Sequence, residues 1–206
     1  MPELLLASSS PYRRQLLEKL GLPFHTASPD IDESPQADET PSQLVERLAI
    51  SKAKALAGSH PDKLIIGSDQ VCSHQGQLLG KPGSRDGAIQ QLMQLQGQPV
   101  SFYTGLCLYN ATTEATHSLV DLFSVEFRSL SEQQICNYVD RESPLDCAGS
   151  FKSEGLGIAL FKRLEGDDPN SLVGLPLIRL VELLKAEGVD PLNFGAAEPS
   201  TQPKPL

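Results

Sequence analysis

One run of residues limits the fold more than any other. Leu64-Ile65-Ile66-Gly67 is continuously apolar, with no polar residue alternating through it. A strand that shows one face to water alternates; a strand without alternation is covered on both faces. Such a strand needs helices on each side of its sheet. The rest of the chain supplies them. Glu3–Ala7 is a second short apolar run, and Ser10-Pro11 after it has the form of a helix start, serine as N-cap and proline at the first helical position. Leu16, Leu17 and Leu20 give that helix its apolar face, and Gly21 ends it. Phe24–Ala27 suits a short strand, and the acidic, proline-bearing stretch Ser28–Glu39 suits a loop.

The pattern continues to the C-terminal part. Thr40-Pro41-Ser42-Gln43 is a capping box. It opens a helix expected to reach about Leu56, with Leu44, Leu48, Lys52 and Ala55 near one face. The apolar run 64–67 is expected to end directly in Ser68-Asp69-Gln70. Gly80–Gly83 is a turn, Arg85–Leu95 a helix, and Val100–Tyr109 with Ser118–Phe127 a β-hairpin. Ser131-Glu132-Gln133-Gln134 repeats the capping box, for a helix ending near Arg141. Ser150–Glu165 reads as strands and turns, and Asn170–Val173 as a single turn. Pro176 is expected at the first position of a last helix to about Glu187. Interleaved helices and strands define an α/β class. One domain over residues 1–194 is expected, followed by a disordered tail over 195–206 rich in Ala, Pro, Ser and Gln.

Charge narrows the partners. The chain has 206 residues and a formal net charge of −9. Without a basic surplus it cannot hold long nucleic acid by releasing counterions, nor act as a basic membrane-surface protein. No apolar run approaches the roughly 18–20 residues that span a bilayer. The N-terminal Met-Pro-Glu-Leu-Leu-Leu-Ala does not have the form of a secretory signal. A soluble cytoplasmic protein is expected, with Cys72, Cys107, Cys136 and Cys147 as reduced thiols.

Four groups of residues could carry chemistry. Ser8-Ser9-Ser10-Pro11-Tyr12-Arg13-Arg14 puts two arginines in the first turn of a helix, where the macrodipole disfavours cations. An anion docked there would resolve the conflict, because free amides, hydroxyls and guanidinium forks converge on a phosphate. A plain serine cap with solvent-facing arginines fits the same residues. Asp69 follows a buried strand, a place where α/β proteins put catalytic groups, but also where an aspartate makes an ordinary turn. Lys52 lies on an apolar helix face, Lys81 in a Gly-Lys-Pro turn and Glu33 in the acidic loop; each alone is more often a solvated side chain. Cys147–Gly155 mixes small residues with charges, as suits backbone lying against a ligand or an irregular loop.

Taken in order these pieces resemble one family. Leu-Ala-Ser-Ser-Ser-Pro-Tyr-Arg-Arg at 6–14, Asp32-Glu33, Lys52-Ala53, Gly67-Ser68-Asp69, Gly80-Lys81-Pro82, Tyr103-Thr104-Gly105, Cys147-Ala148-Gly149 and Val173-Gly174-Leu175-Pro176 are similar to the Maf nucleoside triphosphate pyrophosphatases. The resemblance runs from residue 4 to about 187. It implies a twisted mixed sheet flanked by helices, like that of inosine triphosphate pyrophosphatases, in two lobes with a deep substrate cleft. It implies hydrolysis of a nucleotide between its α and β phosphates, with Mg²⁺ or Mn²⁺ required. Family members often dimerise, which admits a homodimer. By this resemblance Ser8, Arg13, Arg14, Lys52 and Lys81 bind phosphate, Glu33 and Asp69 address the metal, and Asp69 is the general base. Gln70 and the stretch 149–155 are similar to the branch acting on 7-methyl-GTP, a reaction suited to clearing modified nucleotides. Tyr12, Gln70 and Glu154 would then set specificity, Tyr12 stacking on the cationic base and Glu154 facing its charge. The alternatives are a pyrophosphatase for dTTP, UTP or another nucleotide, and a nucleotide-binding regulator of cell division.

Overall fold

A computed structural model describes residues 2–195. The expected tail therefore lies, beyond Gly195, outside the described residues. The chain builds a mixed seven-stranded sheet with helices against it. In chain order the elements are β1 (Leu4–Ala7), α1 (Pro11–Glu18), β2 (Phe24–Ala27), α2 (Pro41–Ala55), β3 (Leu64–His74) and β4 (Gln77–Leu79), followed by α3 (Arg85–Leu95), β5 (Pro99–Asn110), β6 (Thr116–Phe127), α4 (Glu132–Glu142), β7 (Phe161–Glu165) and α5 (Leu177–Ala186). Strands run β2-β1-β3-β5-β6-β7 across the sheet, with β4 paired to β3. β2, β1 and β3 are parallel; β3, β5, β6 and β7 are antiparallel.

The unalternated runs are covered on both faces, as their composition demands. Leu4 and Leu6 of β1 and Ile66 of β3 pack with Leu16, Leu17, Leu180 and Leu184 from α1 and α5. Leu5, Ala7 and Ile65 face the other way, onto Ala49 and Ala53 of α2. A separate core under α3 and α4 is aromatic. Phe151 stands edge-on to Phe102 at 5.2 Å and to Phe161 at 4.7 Å between ring centres, a favourable quadrupolar geometry.

Two glycines let α2 lie directly on the sheet. A Cβ on Gly67 would come within 2.1 Å of the Ala49 carbonyl oxygen, and one on Gly105 within 2.1 Å of that of Val45. No other residue fits at so close a backbone approach.

Three expectations shift. β3 does not stop at Gly67 but continues through Asp69 to His74, because β5 pairs with it as far as Ser73. Its turn back into β4 uses Gln75 and Gly76, both at positive φ, the geometry a two-residue hairpin needs; polar residues around that turn hid the hairpin. Ala55 is exposed, and the buried face of α2 is instead Leu44, Val45, Leu48, Ala49, Lys52 and Ala53. Pro176 is the N-cap of α5, one residue before its first helical position.

Candidate active site

The site grows out of the mismatch between β1 and β3. β1 pairs with β3 only from Leu4 to Leu6, opposite Leu64–Ile66, whereas β3 runs on to His74. Between the end of β1 and the start of β4, which pairs with Cys72–His74, one flank of β3 has no strand neighbour over residues 67–71. The Ser8-Ser9-Ser10 turn and the head of α1 fill part of that space, and the remainder is a cavity of about 620 Å³. Asp69 and Gln70 are neighbours on β3, so they point to opposite faces of the sheet. Both line the cavity, which wraps the free flank of the strand.

The cavity collects most of the residues singled out in the sequence. Ser8, Arg13, Glu33, Lys52, Asp69 and Lys81 line it. So do Tyr12, Gln70 and Glu154. Arg14 is not among them. Its guanidinium turns outward to Glu18, one helical turn on, at 3.1 Å, and both side chains are mostly exposed. Arg14 therefore stands apart from the cavity in this structure, since adjacent helical residues point about 100° apart and only Arg13 faces inward.

The charged centre is compact. Lys52 is buried on α2, and its Nζ donates to Asp69 Oδ1 at 2.7 Å and pairs with Glu33 Oε1 at 2.8 Å. A buried lysine needs such partners. Arg13 Nε donates to the Gly174 carbonyl at 2.8 Å, which leaves its two terminal nitrogens without a partner among the described residues. Burial lowers the Arg13 pKa from its ordinary value, while Asp69 and Glu33 oppose that shift and keep the guanidinium charged. The same Gly174 carbonyl accepts from Ser68 Oγ at 2.9 Å, so Arg13 is tied to β3 through one oxygen. Ser8 Oγ accepts from the Ser10 amide at 3.1 Å, shaping the turn before α1.

Arg47, which sequence alone did not single out, holds the acidic loop in place. It forms a two-pronged pair with Glu39, Nε to Oε1 at 2.6 Å and Nη2 to Oε2 at 2.8 Å, and donates to the Ser34 carbonyl at 3.0 Å. Ser34 adjoins Glu33, so the clamp sets where Glu33 stands. Its available signal was an arginine on a capped helix directly after an acidic loop. Lys81 is held from two sides: Gln91 donates to the Gly80 carbonyl at 3.1 Å, and the Gly83 amide to the Leu145 carbonyl at 3.0 Å.

A second part of the cavity is aromatic and acidic. The Tyr12 hydroxyl donates to Asp146 Oδ2 at 3.4 Å. Burial pushes the Tyr12 phenol up to about 12, with Cys147, Asp146 and Glu154 adding to the shift. The loop that carries Glu154 folds onto α4, where the Leu156 amide donates to Glu142 Oε1 at 3.1 Å and the Lys152 amide to the Tyr138 hydroxyl at 2.9 Å. Asp146 was missed in the sequence; its signal was adjacency to Cys147-Ala148-Gly149. Cys147 lines the cavity as a thiol, its pKa pushed to about 12 by burial and by Asp146.

Glu33 and Asp69 are also where a metal would fit. The Lys52 ammonium already fills the point between Glu33 Oε1 and Asp69 Oδ1, which leaves the second oxygen of each carboxylate for a metal. Among the described residues no cluster of three or more His, Cys, Asp or Glu can hold a metal unaided. One or two carboxylates completed by phosphate oxygens and water is the common set for Mg²⁺, and these two residues fit it.

Fold and site together describe a mixed-sheet α/β protein with a polar cavity beside its central strand. The solved structure of the Staphylococcus aureus Ham1 protein shares this fold, with a TM-score of 0.50 over 90% of this chain and 99% of that one, at 15% identity. The family model described as Maf-like protein matches residues 3–187, and the chain belongs to the Maf family. Among its curated relatives, a 7-methyl-GTP pyrophosphatase of Alcanivorax borkumensis is 64% identical over 91% of this chain and 95% of its own length. Another 7-methyl-GTP pyrophosphatase, from Colwellia psychrerythraea, is 55% identical over 93% of this chain and 96% of its own. No helix among the described residues is long and apolar enough to cross a membrane.

Proposed function

We propose that this chain is a 7-methyl-GTP pyrophosphatase, cleaving the α–β phosphate bond in the cavity beside β3. The observation that carries the proposal is the single cavity itself. It places a cationic and acidic centre (Arg13, Lys52, Lys81, Glu33, Asp69) in one space with an aromatic ring flanked by carboxylates (Tyr12, Asp146, Glu154). The first suits a triphosphate; the second suits a base that carries positive charge in its imidazole ring. The names of the curated relatives point the same way. In this account residues 1–194 form one catalytic domain of two lobes, with the cavity as the substrate cleft between them.

The free terminal nitrogens of Arg13, with Ser8 Oγ and the Lys81 ammonium, bind phosphate oxygens. Lys52 holds Asp69 and Glu33 in register. A water placed beside Asp69 gives up its proton to the carboxylate as its oxygen bonds to the α phosphorus. The α–β bridging bond breaks and pyrophosphate leaves, so one water and one triphosphate become a monophosphate and pyrophosphate. Mg²⁺ or Mn²⁺ held by Glu33 and Asp69 would supply neutralisation of the phosphate charge. Tyr12 stacks on the methylated base, a cation–π contact of about 0.5–2 kcal/mol.

A panel of 7-methyl-GTP, GTP, dTTP and UTP, with and without Mg²⁺ or Mn²⁺ and with pyrophosphate detection, tests the proposal. Fastest release from 7-methyl-GTP, abolished by chelation, is expected. A preference for dTTP or UTP would overturn the substrate, and release unchanged by chelation would overturn the metal.

A further inference from the structure

Gln70, Thr104 and Asp121 stand opposite one another on β3, β5 and β6. Directly paired residues on adjacent strands share a face, so three polar side chains form one row across the sheet. Thr104 is fully buried and Asp121 is 6% exposed. Over the row lies Ser171, fully buried in the 3₁₀ turn Pro169–Val173. Its hydroxyl donates to Asp121 Oδ2 at 2.5 Å. Its carbonyl accepts from Thr104 Oγ1 at 3.1 Å and from Gln70 Nε2. Gln70 Nε2 also donates to Thr104 Oγ1, at 3.0 Å.

The direction of each bond around the Ser171 carbonyl is forced. A carbonyl has no proton to give, so the Ser171 oxygen must receive from both neighbours. Thr104 therefore spends its one proton on Ser171 and offers only lone pairs to Gln70. The group of Gln70 that faces both must be the NH₂, and its two protons are thereby used. Gln70 Oε1 has no partner among the described residues, yet no buried side-chain polar atom there is left unpaired. Oε1 is thus the open end of the amide, on a residue that lines the cavity.

We infer that Thr104, Ser171 and Asp121 are positioning residues that lock the Gln70 carboxamide, so that Gln70 meets the ligand only as a hydrogen-bond acceptor for a base N–H. A guanine edge carries such donors, its exocyclic amine among them. A free amide would present donor or acceptor at will and discriminate poorly; a fixed one rejects a base that brings an acceptor to the same point, because two facing acceptors leave both groups unpaired. The inference rests on the cavity being the nucleotide site proposed above.

Thr104→Val keeps the side-chain shape and removes the hydroxyl, and Thr104→Ser restores it. Two readouts separate the lock from general damage. The first is ¹⁵N NMR of the Gln70 side chain without ligand, assigned by its loss in Gln70→Ala. Slow solvent exchange of both Nε2 protons is expected in the wild type and in Thr104→Ser, and fast exchange in Thr104→Val. The second is the ratio of kcat/KM for 7-methyl-GTP to that for UTP, expected to fall about tenfold in Thr104→Val, the scale of one net hydrogen bond, and to hold in Thr104→Ser. Should Thr104→Val not fold, Thr104→Ala serves in its place. Rapid exchange in the wild type overturns the lock. A ratio within twofold in Thr104→Val, with its amide freed, overturns the link to selectivity. If the wild type releases pyrophosphate from no nucleotide, the functional proposal fails instead, and the NMR result alone still decides the lock.

Discussion

Adding one methyl group at Gly105 should damage stability and turnover together. The Cβ of Gly105→Ala would stand 2.1 Å from the Val45 carbonyl oxygen and 2.4 Å from its carbon. Carbon–oxygen contacts in folded proteins close to about 3.3 Å, so α2 must lift from β5 by about 1 Å. Both contacting atoms are backbone, so no side chain can rotate away. Overpacking of this kind costs about 1–3 kcal/mol, and for a chain of this size each kcal/mol lowers Tm by about 2–4 °C. A fall of about 2–12 °C is expected by circular dichroism. The same helix carries Lys52, whose ammonium must stay 2.7 Å from Asp69. A misplacement of about 1 Å in a catalytic array can cost about 10²-fold, so kcat/KM for pyrophosphate release should drop by roughly that factor. Gly58→Ala is the control, since nothing lies within 4 Å of its Cβ and its φ is ordinary. Unchanged Tm and activity in Gly105→Ala would refute the claim that α2 rests on the sheet backbone and sets Lys52.

Asp69→Asn can still accept from Lys52 and should keep the thermal transition while losing about 10²–10⁴ in kcat; near-normal kcat would remove Asp69 as the base. Arg13→Ala should lose about 10–150-fold in kcat/KM, the worth of a charge-assisted contact, while Arg14→Ala stays within about twofold because its partner is Glu18. Equal losses in both would show that the outward arginine reaches substrate. Glu154→Gln should lower the preference for 7-methyl-GTP over GTP, and an unchanged ratio would dismiss Glu154 from selectivity. The hydrogen bonds from Arg47, with a further one from the Gln36 amide, hold Glu39 down from 4.5 to about 2. That lowered folded-state pKa means the clamp stabilises fully above about pH 4.5 and is lost as pH falls through about 2. In Arg47→Leu, side-chain NMR should find the Glu39 midpoint raised toward its ordinary value, with the Gln36 amide still holding it partly down, and a raised KM as Glu33 loosens; a Glu39 midpoint still near 2 would place the cause elsewhere.

Much of this molecule could be read from its residues, and the failures have local causes. Both capping boxes, at Thr40 and Ser131, form as written, because the cap hydrogen bonds are made within four residues. The β5–β6 hairpin also needs only its own sequence. β3 ran past its expected end because pairing with β5, far along the chain, sustains a strand through polar residues. That length is what puts Asp69 beside the cavity rather than at a strand terminus. Lys52 on an apolar helix face was legible as odd, but its two carboxylate partners come from a loop and a strand that only the fold brings together. Arg13 and Arg14 could not be told apart by residue type; helical phase and the Gly174 carbonyl, 161 positions away, separate them. Gln70 was singled out in the sequence, but its row with Thr104, Asp121 and Ser171 was not, since only sheet register and the turn over it bring them together.

The most direct test of the central claim is a ³¹P NMR time course of 7-methyl-GTP with the full chain and Mg²⁺. Cleavage beside Asp69 at the α–β bond predicts 7-methyl-GMP and pyrophosphate appearing in equal amounts, with no nucleoside diphosphate at any time. Inorganic phosphate with 7-methyl-GDP, or three unchanged triphosphate resonances, would contradict it.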